Sequence, residues 1–237
     1  MKLSKRLQMN VSLVPQGARV ADIGCDHGYA AIWLVETGTA LRMIAMDINQ
    51  GPLERAREHI RQNGLEEKIE CRKSNGMEKL LPGEADTLMI AGMGGPLMLE
   101  ILKAFPEVLA KVNTLVLQPQ SEIGMVRDAM GELGFEIVRE KACKEEGKFY
   151  FSMLVLRREN FSEPRLYNVP GTNYSTYLIE QGDKTMLAFL EQEEKVYRAI
   201  YDQLQSKNMA GARRQEVKER CRLLGQLILK MNGKECQ

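Results

Sequence analysis

The chain has no run of the about eighteen apolar residues that a membrane-spanning helix requires, and its charged opening, Met1 to Leu7, leads into amphipathic rather than continuously apolar sequence. Neither a membrane span nor an export leader is expected. Histidine is scarce, with only His27 and His59, and five cysteines (Cys25, Cys71, Cys143, Cys221, Cys236) are scattered without C-x-x-C spacing. A zinc centre is therefore not expected, and no metal is assigned. An odd number of dispersed cysteines suits reduced thiols and a cytoplasmic protein. Charge of one sign is also lacking: 33 basic residues against 32 acidic ones leave a formal net charge of +1. No global basic field advertises nucleic acid, so any polyanion would have to meet a local patch.

What is present is a core with something left over. With 237 residues, 44% hydrophobic and 27% charged, the chain can bury one full core and retain roughly forty to sixty residues for an appendage. Leu3, Leu7, Val11 and Val14 recur at helical spacing before Pro15, predicting a helix over 3–13. Strands over 18–24, 41–47, 68–72, 86–91 and 113–118 then alternate with helices over 29–37, 51–63, 95–105 and 122–133, apart from the third and fourth strands, which follow one another. That order predicts an α/β fold with a mostly parallel, doubly wound sheet. The runs 135–143 and 149–157, separated by the turn-rich Lys144-Glu145-Glu146-Gly147-Lys148, predict an antiparallel hairpin at its end. This is the outline of a class I Rossmann-like methyltransferase rather than of a dinucleotide-binding domain.

The segment Val20-Ala21-Asp22-Ile23-Gly24-Cys25-Asp26-His27-Gly28-Tyr29, with Asp47 closing the next apolar run, carries the most chemistry. A glycine turn after a strand lets backbone approach a ligand, and an acid about 20 residues on can accept from both ribose hydroxyls. Yet the turn is not G-x-G-x-x-G, and Asp26 would set a negative charge where a dinucleotide phosphate belongs. S-adenosylmethionine, cationic and without phosphate, fits better than NAD. The plainer role for Asp26 is to N-cap the helix beginning near Tyr29, and the two roles are compatible. The expected cofactor set is Asp22, Gly24, Asp47 and Ile48, with Asn75 and Gly76 after the third strand and Ala91, Gly92 and Met93 after the fourth. Asn75 could read an adenine ring or simply occupy a surface turn. Gly92, Gly94 and Gly95 imply backbone passing close to something at the carboxyl end of a central strand. Gln118-Pro119-Gln120, at the same edge, could contact a substrate base or cap the helix near Ser121.

After Arg158, the residues Pro164, Asn168, Pro170, Gly171, Thr172 and Asn173 mark a connector, which places a domain division at 160/161. Leu187, Leu190, Tyr197, Tyr201 and Leu204, interrupted by Glu194, and then Val217, Cys221, Leu224, Ile228 and Met231 follow three-four spacing. The break Lys207-Asn208-Met209-Ala210-Gly211 between them is short enough to require an antiparallel helical hairpin, a coiled coil. Between Ser206 and Gln237 eight basic residues, including Arg213, Arg214 and Lys218, face three acids. Such a run is ordinarily a solvated face, but it also suits an arm that tracks phosphates.

Asp22-Ile23-Gly24-Cys25-Asp26-His27-Gly28-Tyr29, Ala91-Gly92-Met93-Gly94-Gly95, Leu117-Gln118-Pro119, Gly147-Lys148-Phe149-Tyr150 and the opening Leu3-Ser4-Lys5-Arg6-Leu7 together resemble the bacterial tRNA (adenine(22)-N(1))-methyltransferase family over nearly the whole chain. Gly28, Ala30-Ala31 and Gln120 depart from the family pattern. The resemblance implies S-adenosyl-L-methionine as donor, N1 of adenosine 22 in the tRNA D-loop region as acceptor, and a C-terminal coiled coil. It adds Lys5, Arg6, Gly94, Gly95, Gln118, Pro119, Gln120 and the basic Arg213, Arg214 and Lys218 as substrate-binding candidates. Since adenine N1 already holds a lone pair, positioning supplies most of the rate, and a carboxylate stabilises the cationic product. Asp26 is the first candidate for that role, with His27 and Tyr29 orienting or stacking a base taken out of its stack. Two rivals remain: a methyltransferase for a small molecule that dimerises through the hairpin, and a non-catalytic binding module. A monomer is favoured over an oligomer.

Overall fold

A computed structural model of the chain describes residues 2–158, 166–206 and 211–233. Of the residues named above, Met1, Pro164, those at 207–210, Cys236 and Gln237 lie outside that set. The chain divides into two compact units between Tyr174 and Ser175.

The first unit follows the order α1 (Lys5–Val11), β1 (Ala18–Ile23), α2 (Tyr29–Glu36), β2 (Ala40–Asp47), α3 (Gln50–Gln62), β3 (Ile69–Lys73), β4 (Thr87–Gly94), α4 (Gly95–Ala104), α5 (Pro106–Leu109), β5 (Thr114–Ser121), α6 (Ile123–Glu132), β6 (Phe135–Glu145) and β7 (Lys148–Arg157). The seven strands form one sheet in the order β3-β2-β1-β4-β5-β7-β6. All neighbours are parallel except β7, which runs antiparallel to both β5 and β6. Successive residues of a strand point to opposite faces, so each inner strand supplies two cores. In β2, Met43 and Ala45 join α1, α2 and α3 on one face, while Ile44 and Met46 join α4, α5 and α6 on the other. The α/β sandwich with a terminal antiparallel hairpin expected from the sequence is therefore present.

Local chemistry sets several element ends. The Ser4 hydroxyl accepts from Leu7 N–H at 3.2 Å and caps α1. Segment 166–174 stays with the first unit because a buried network holds it on α6. Arg127 forms an ion pair with Glu140 at 2.9 Å, both essentially inaccessible, and donates to Asn168 Oδ1 at 3.0 Å and the Asn173 carbonyl at 2.7 Å. Asn168 in turn donates to the Gly124 carbonyl and to Asp128. Composition alone places the division at 160/161, whereas these bonds extend the first unit to Tyr174.

The second unit holds α7 (Thr176–Glu180), α8 (Lys184–Ser206) and α9 (Ala212–Asn232). Helices α8 and α9 run side by side, with the Arg220 guanidinium 5.8 Å from the Tyr197 ring. Leu190, Val217, Leu224 and Met231 of the expected seam are buried, as are Met186 and Leu227. Glu194, at a seam position, is paired with Arg198 at 2.7 Å, which neutralises it.

Candidate functional site

Strands β1 and β4 lie next to each other, and the chain leaves them towards opposite edges of the sheet. Beyond their carboxyl ends an open α/β sheet has a crevice. Here that crevice is a cavity of about 490 Å³. Its wall contains every expected cofactor residue (Asp22, Gly24, Asp47, Ile48, Asn75, Gly76, Ala91, Gly92 and Met93), together with Asp26, His27 and Tyr29.

The turn between β1 and α2 shapes it. Gly24 and Cys25 donate backbone N–H to the Met46 carbonyl at 2.8 and 2.9 Å, which folds the chain back over the sheet edge. Gly24 has φ +78°, and a Cβ there would strike the Met93 side chain. Gly28 has φ +72° and lies so close to α3 that a Cβ would stand 3.1 Å from that of Ala56. Gly28, not Asp26, is the N-cap residue of α2, and no side chain bonds to that helix end. Freed from capping, Asp26 adopts a left-handed φ of +51° with a side chain 73% exposed at the cavity mouth. Strain in a non-glycine residue at such a turn is common at functional sites.

The floor is acidic. Asp22 is 4% exposed, and among the described residues no donor or cation pairs with its carboxyl. Burial, with Asp47 and Asp26 nearby, pushes its pKa up to about 7. Asp47, also buried, accepts from Asn49 N–H at 2.8 Å. Burial raises the Cys25 thiol far above its usual range, reinforced by Asp22 and Asp47, so it is not a nucleophile. Buried carboxyls without cations suit a positively charged ligand and disfavour phosphate. Ser74 tightens the turn bearing Asn75 by donating to the Gly76 carbonyl at 2.9 Å and accepting from Lys79 N–H at 3.1 Å. Among the described residues no group of three or more His, Cys, Asp or Glu side chains could hold a metal.

The acceptor-side expectations require correction. Gln118 is fully buried and Pro119 is buried beside it, so neither lines the cavity. Gln118 Oε1 instead accepts from Arg6 Nη1 at 3.0 Å, and its Nε2 donates to the Pro119 carbonyl at 3.1 Å. Arg6, whose guanidinium lies 5.8 Å from the Tyr150 ring, is thereby fixed on the cavity wall with Gln120. A Cβ at Gly92 would fall 3.3 Å from Arg6 Nη1 and 3.6 Å from Gln120 Nε2, so the three converge. Lys5 is exposed off the cavity, its N–H bonded to Glu145 at 2.7 Å. Strand β4 does not stop at Ala91 but continues, with irregular register, to Gly94. Gly94 and Gly95 pack against the end of β5, where a Cβ on Gly95 would lie 2.7 Å from the Ser121 carbonyl oxygen. Neither glutamine caps α6, whose N-cap residue is Glu122 with no side-chain bond. In the second unit Arg213 is spent on Glu216 at 2.9 Å, while Arg214 and Lys218 stand on α9.

Two residues on α3 had no sequence signal beyond their i, i+4 spacing. Arg55 Nε donates to His27 Nδ1 at 3.3 Å, and His59 Nδ1 lies 3.0 Å from the His27 carbonyl. The rings of His27, Tyr29 and His59 are near-parallel, with centroids 5.0–6.0 Å apart. They form an aromatic ledge, of which His27 and Tyr29 line the cavity.

Residues 3–153 match the family described as "Methyltransferase domain". The tRNA (adenine(22)-N(1))-methyltransferase of Bacillus subtilis is 32% identical over 96% of this chain and 98% of its own length. The crystal structure of the B. subtilis M1A22 tRNA methyltransferase TrmK superposes with a TM-score of 0.76 at 28% identity, covering 98% of both chains. Streptococcus pneumoniae Sp1610, solved in complex with S-adenosyl-L-methionine, gives 0.82 at 28% identity, covering 96% of this chain and all of its own. Nearly end-to-end likeness of sequence and fold, on a crevice whose acids suit a cationic ligand, shows that the chain belongs to the tRNA (adenine(22)-N(1))-methyltransferase family.

Proposed function

We propose that this protein transfers the methyl group of S-adenosyl-L-methionine to N1 of adenosine 22 in tRNA, forming 1-methyladenosine. The observation that carries this reading is the buried, uncompensated Asp22 beside Asp47 in a cavity whose mouth bears an aromatic ledge.

The donor, when bound, supplies a methyl group on a cationic sulfonium. Asp22 offers the charge that a cationic ligand compensates, and Asp47, at the end of β2, is placed to accept from the ribose hydroxyls. Ile48, Met93 and Leu97 give an apolar lining for an adenine ring, with the Asn75 carboxamide at its edge. On the acceptor side His27 and Tyr29 support an extruded base, and Arg6 and Gln120, which converge at Gly92 on the same cavity wall, bound it. Adenine N1 carries its own lone pair, so no base has to act before transfer, and holding N1 in line with the methyl group is the main catalytic task. The positive charge ends on the adenine ring, where the exposed Asp26 carboxylate stabilises it. Arg214 and Lys218 on α9 supply phosphate contacts, which makes tRNA affinity salt-dependent.

Incubation with labelled S-adenosyl-L-methionine and unmodified tRNA, followed by nucleoside analysis, tests the reading. Label in 1-methyladenosine supports it; demonstrable donor binding without transfer to tRNA overturns it in favour of a small-molecule acceptor.

A further inference from the structure

Asp26 can stabilise a cationic adenine only while its carboxylate is free of other cations, and the nearest group able to become one is His27. Nε2 of that imidazole lies 3.3 Å from Asp26 Oδ1. A doubly protonated ring would close onto the carboxylate as an ion pair, cancelling its charge and setting a second cation beside the product. The other face of the ring determines whether this happens. Arg55 Nε donates to His27 Nδ1 at 3.3 Å, and a guanidinium has only donors. Nδ1 must therefore be the acceptor, the single ring proton must sit on Nε2, and a second proton could enter only by breaking the bond from Arg55. The neighbouring histidine is fixed by the same logic, because its Nδ1 faces the His27 carbonyl at 3.0 Å and must carry the proton there.

We infer that Arg55 is a positioning residue of the reaction, holding His27 in its neutral Nε2–H tautomer so that Asp26 stays available to the adenine. The inference rests on the proposed function only for its catalytic consequence; the tautomer is independent of it. Arg55 is exposed and does not line the cavity, so its loss leaves the core and the donor site untouched. Among the described residues, the charged and titratable groups in contact with His27 are Asp26 on its own turn, Tyr29 on α2, and Arg55 and His59 on α3.

The test uses the full-length protein and Arg55→Met, which keeps side-chain length and removes the donor. Long-range 15N–1H NMR of the imidazoles at pH 7.5 should show His27 with its proton on Nε2 alone in the parent and with proton occupancy at Nδ1 in the variant. A parent spectrum with the proton on Nδ1, or an unchanged spectrum in the variant, overturns the inference whether or not tRNA is the substrate. Methyl transfer by Arg55→Met should accordingly fall further below that of the parent at acidic than at alkaline pH, with S-adenosylhomocysteine affinity unchanged. A uniform loss at every pH would mean that Arg55 acts through substrate binding instead, which also overturns it. Failure of the parent to methylate tRNA would count against the proposed function and leave the NMR result standing.

Discussion

Replacing Asp22 by asparagine should make the ligand-free protein more stable while making it bind its donor worse. Burial, with Asp47 and Asp26 close by, raises the Asp22 pKa from 3.8 to about 7. A carboxyl raised in the folded state costs nothing below the unfolded value, where it is protonated in both states. Above the folded value it is ionised in both, and the full cost applies. At about 1.4 kcal/mol per pK unit, a rise of about three units amounts to ~4 kcal/mol of stability, lost progressively between about pH 4 and pH 7. A carboxamide does not titrate, so the stability of Asp22→Asn minus that of the parent should grow by up to ~4 kcal/mol across that window. For a unit of this size each kcal/mol moves Tm by about 2–4 °C, so thermal unfolding at pH 4.5 and pH 8 in the absence of ligand would reveal it. S-adenosyl-L-methionine should reverse the order, stabilising the parent at pH 8 more than the variant, because the cation compensates the carboxylate. An equal Tm difference at both pH values would refute the reasoning, since it would mean that Asp22 is not an uncompensated acid.

Four further substitutions test the roles assigned around the cavity and in the buried network on α6. Asp47→Ala should weaken S-adenosyl-L-methionine binding by about tenfold or more, through loss of hydrogen bonds to a charged group, whereas Asp26→Ala should retain binding and lower turnover; calorimetry and single-turnover transfer distinguish the two. Gln118→Leu, which deletes the acceptor for Arg6 Nη1 within a buried site, should raise KM for tRNA several-fold and leave donor affinity unchanged; a fall in kcat at constant KM would place Gln118 on the base itself. Arg127→Met removes the buried ion pair to Glu140 and the bonds to Asn168 and Asn173, so denaturant unfolding should show a loss of about 3–5 kcal/mol, and a change below about 1 kcal/mol would contradict the buried network.

The sequence disclosed the parts of this architecture that rest on periodicity. Strand β2 reads as a strand because both its faces are buried, and α3 as a helix because Leu53, Ala56 and Ile60 recur on one side. Less was legible where one residue's role depends on a distant partner. Asp26 resembles an N-cap in sequence, but the close approach of α3 to Gly28 leaves Gly28 at the cap and turns Asp26 outward. Gln118 resembles a substrate ligand at a strand end, yet Arg6, 112 residues away, takes its carbonyl oxygen. The short α5 and α7 have too few turns to show a period. The end of the first unit at Tyr174 depends on hydrogen bonds from α6 that no local pattern announces. The gathering of the candidate residues on one cavity wall was legible because they cluster at strand ends, which the fold brings to one edge. The aromatic ledge was only half legible, since His59 and Arg55 lie on a helix with no motif of its own.

The central claim is that the acid-floored crevice delivers a methyl group to one atom of one tRNA nucleotide. Its most direct test is methyl transfer to two transcripts that differ only in carrying adenosine or guanosine at position 22, with the product nucleosides resolved by mass spectrometry. The account predicts 1-methyladenosine from the first and no methylated nucleoside from the second. Equal methylation of both transcripts would contradict it.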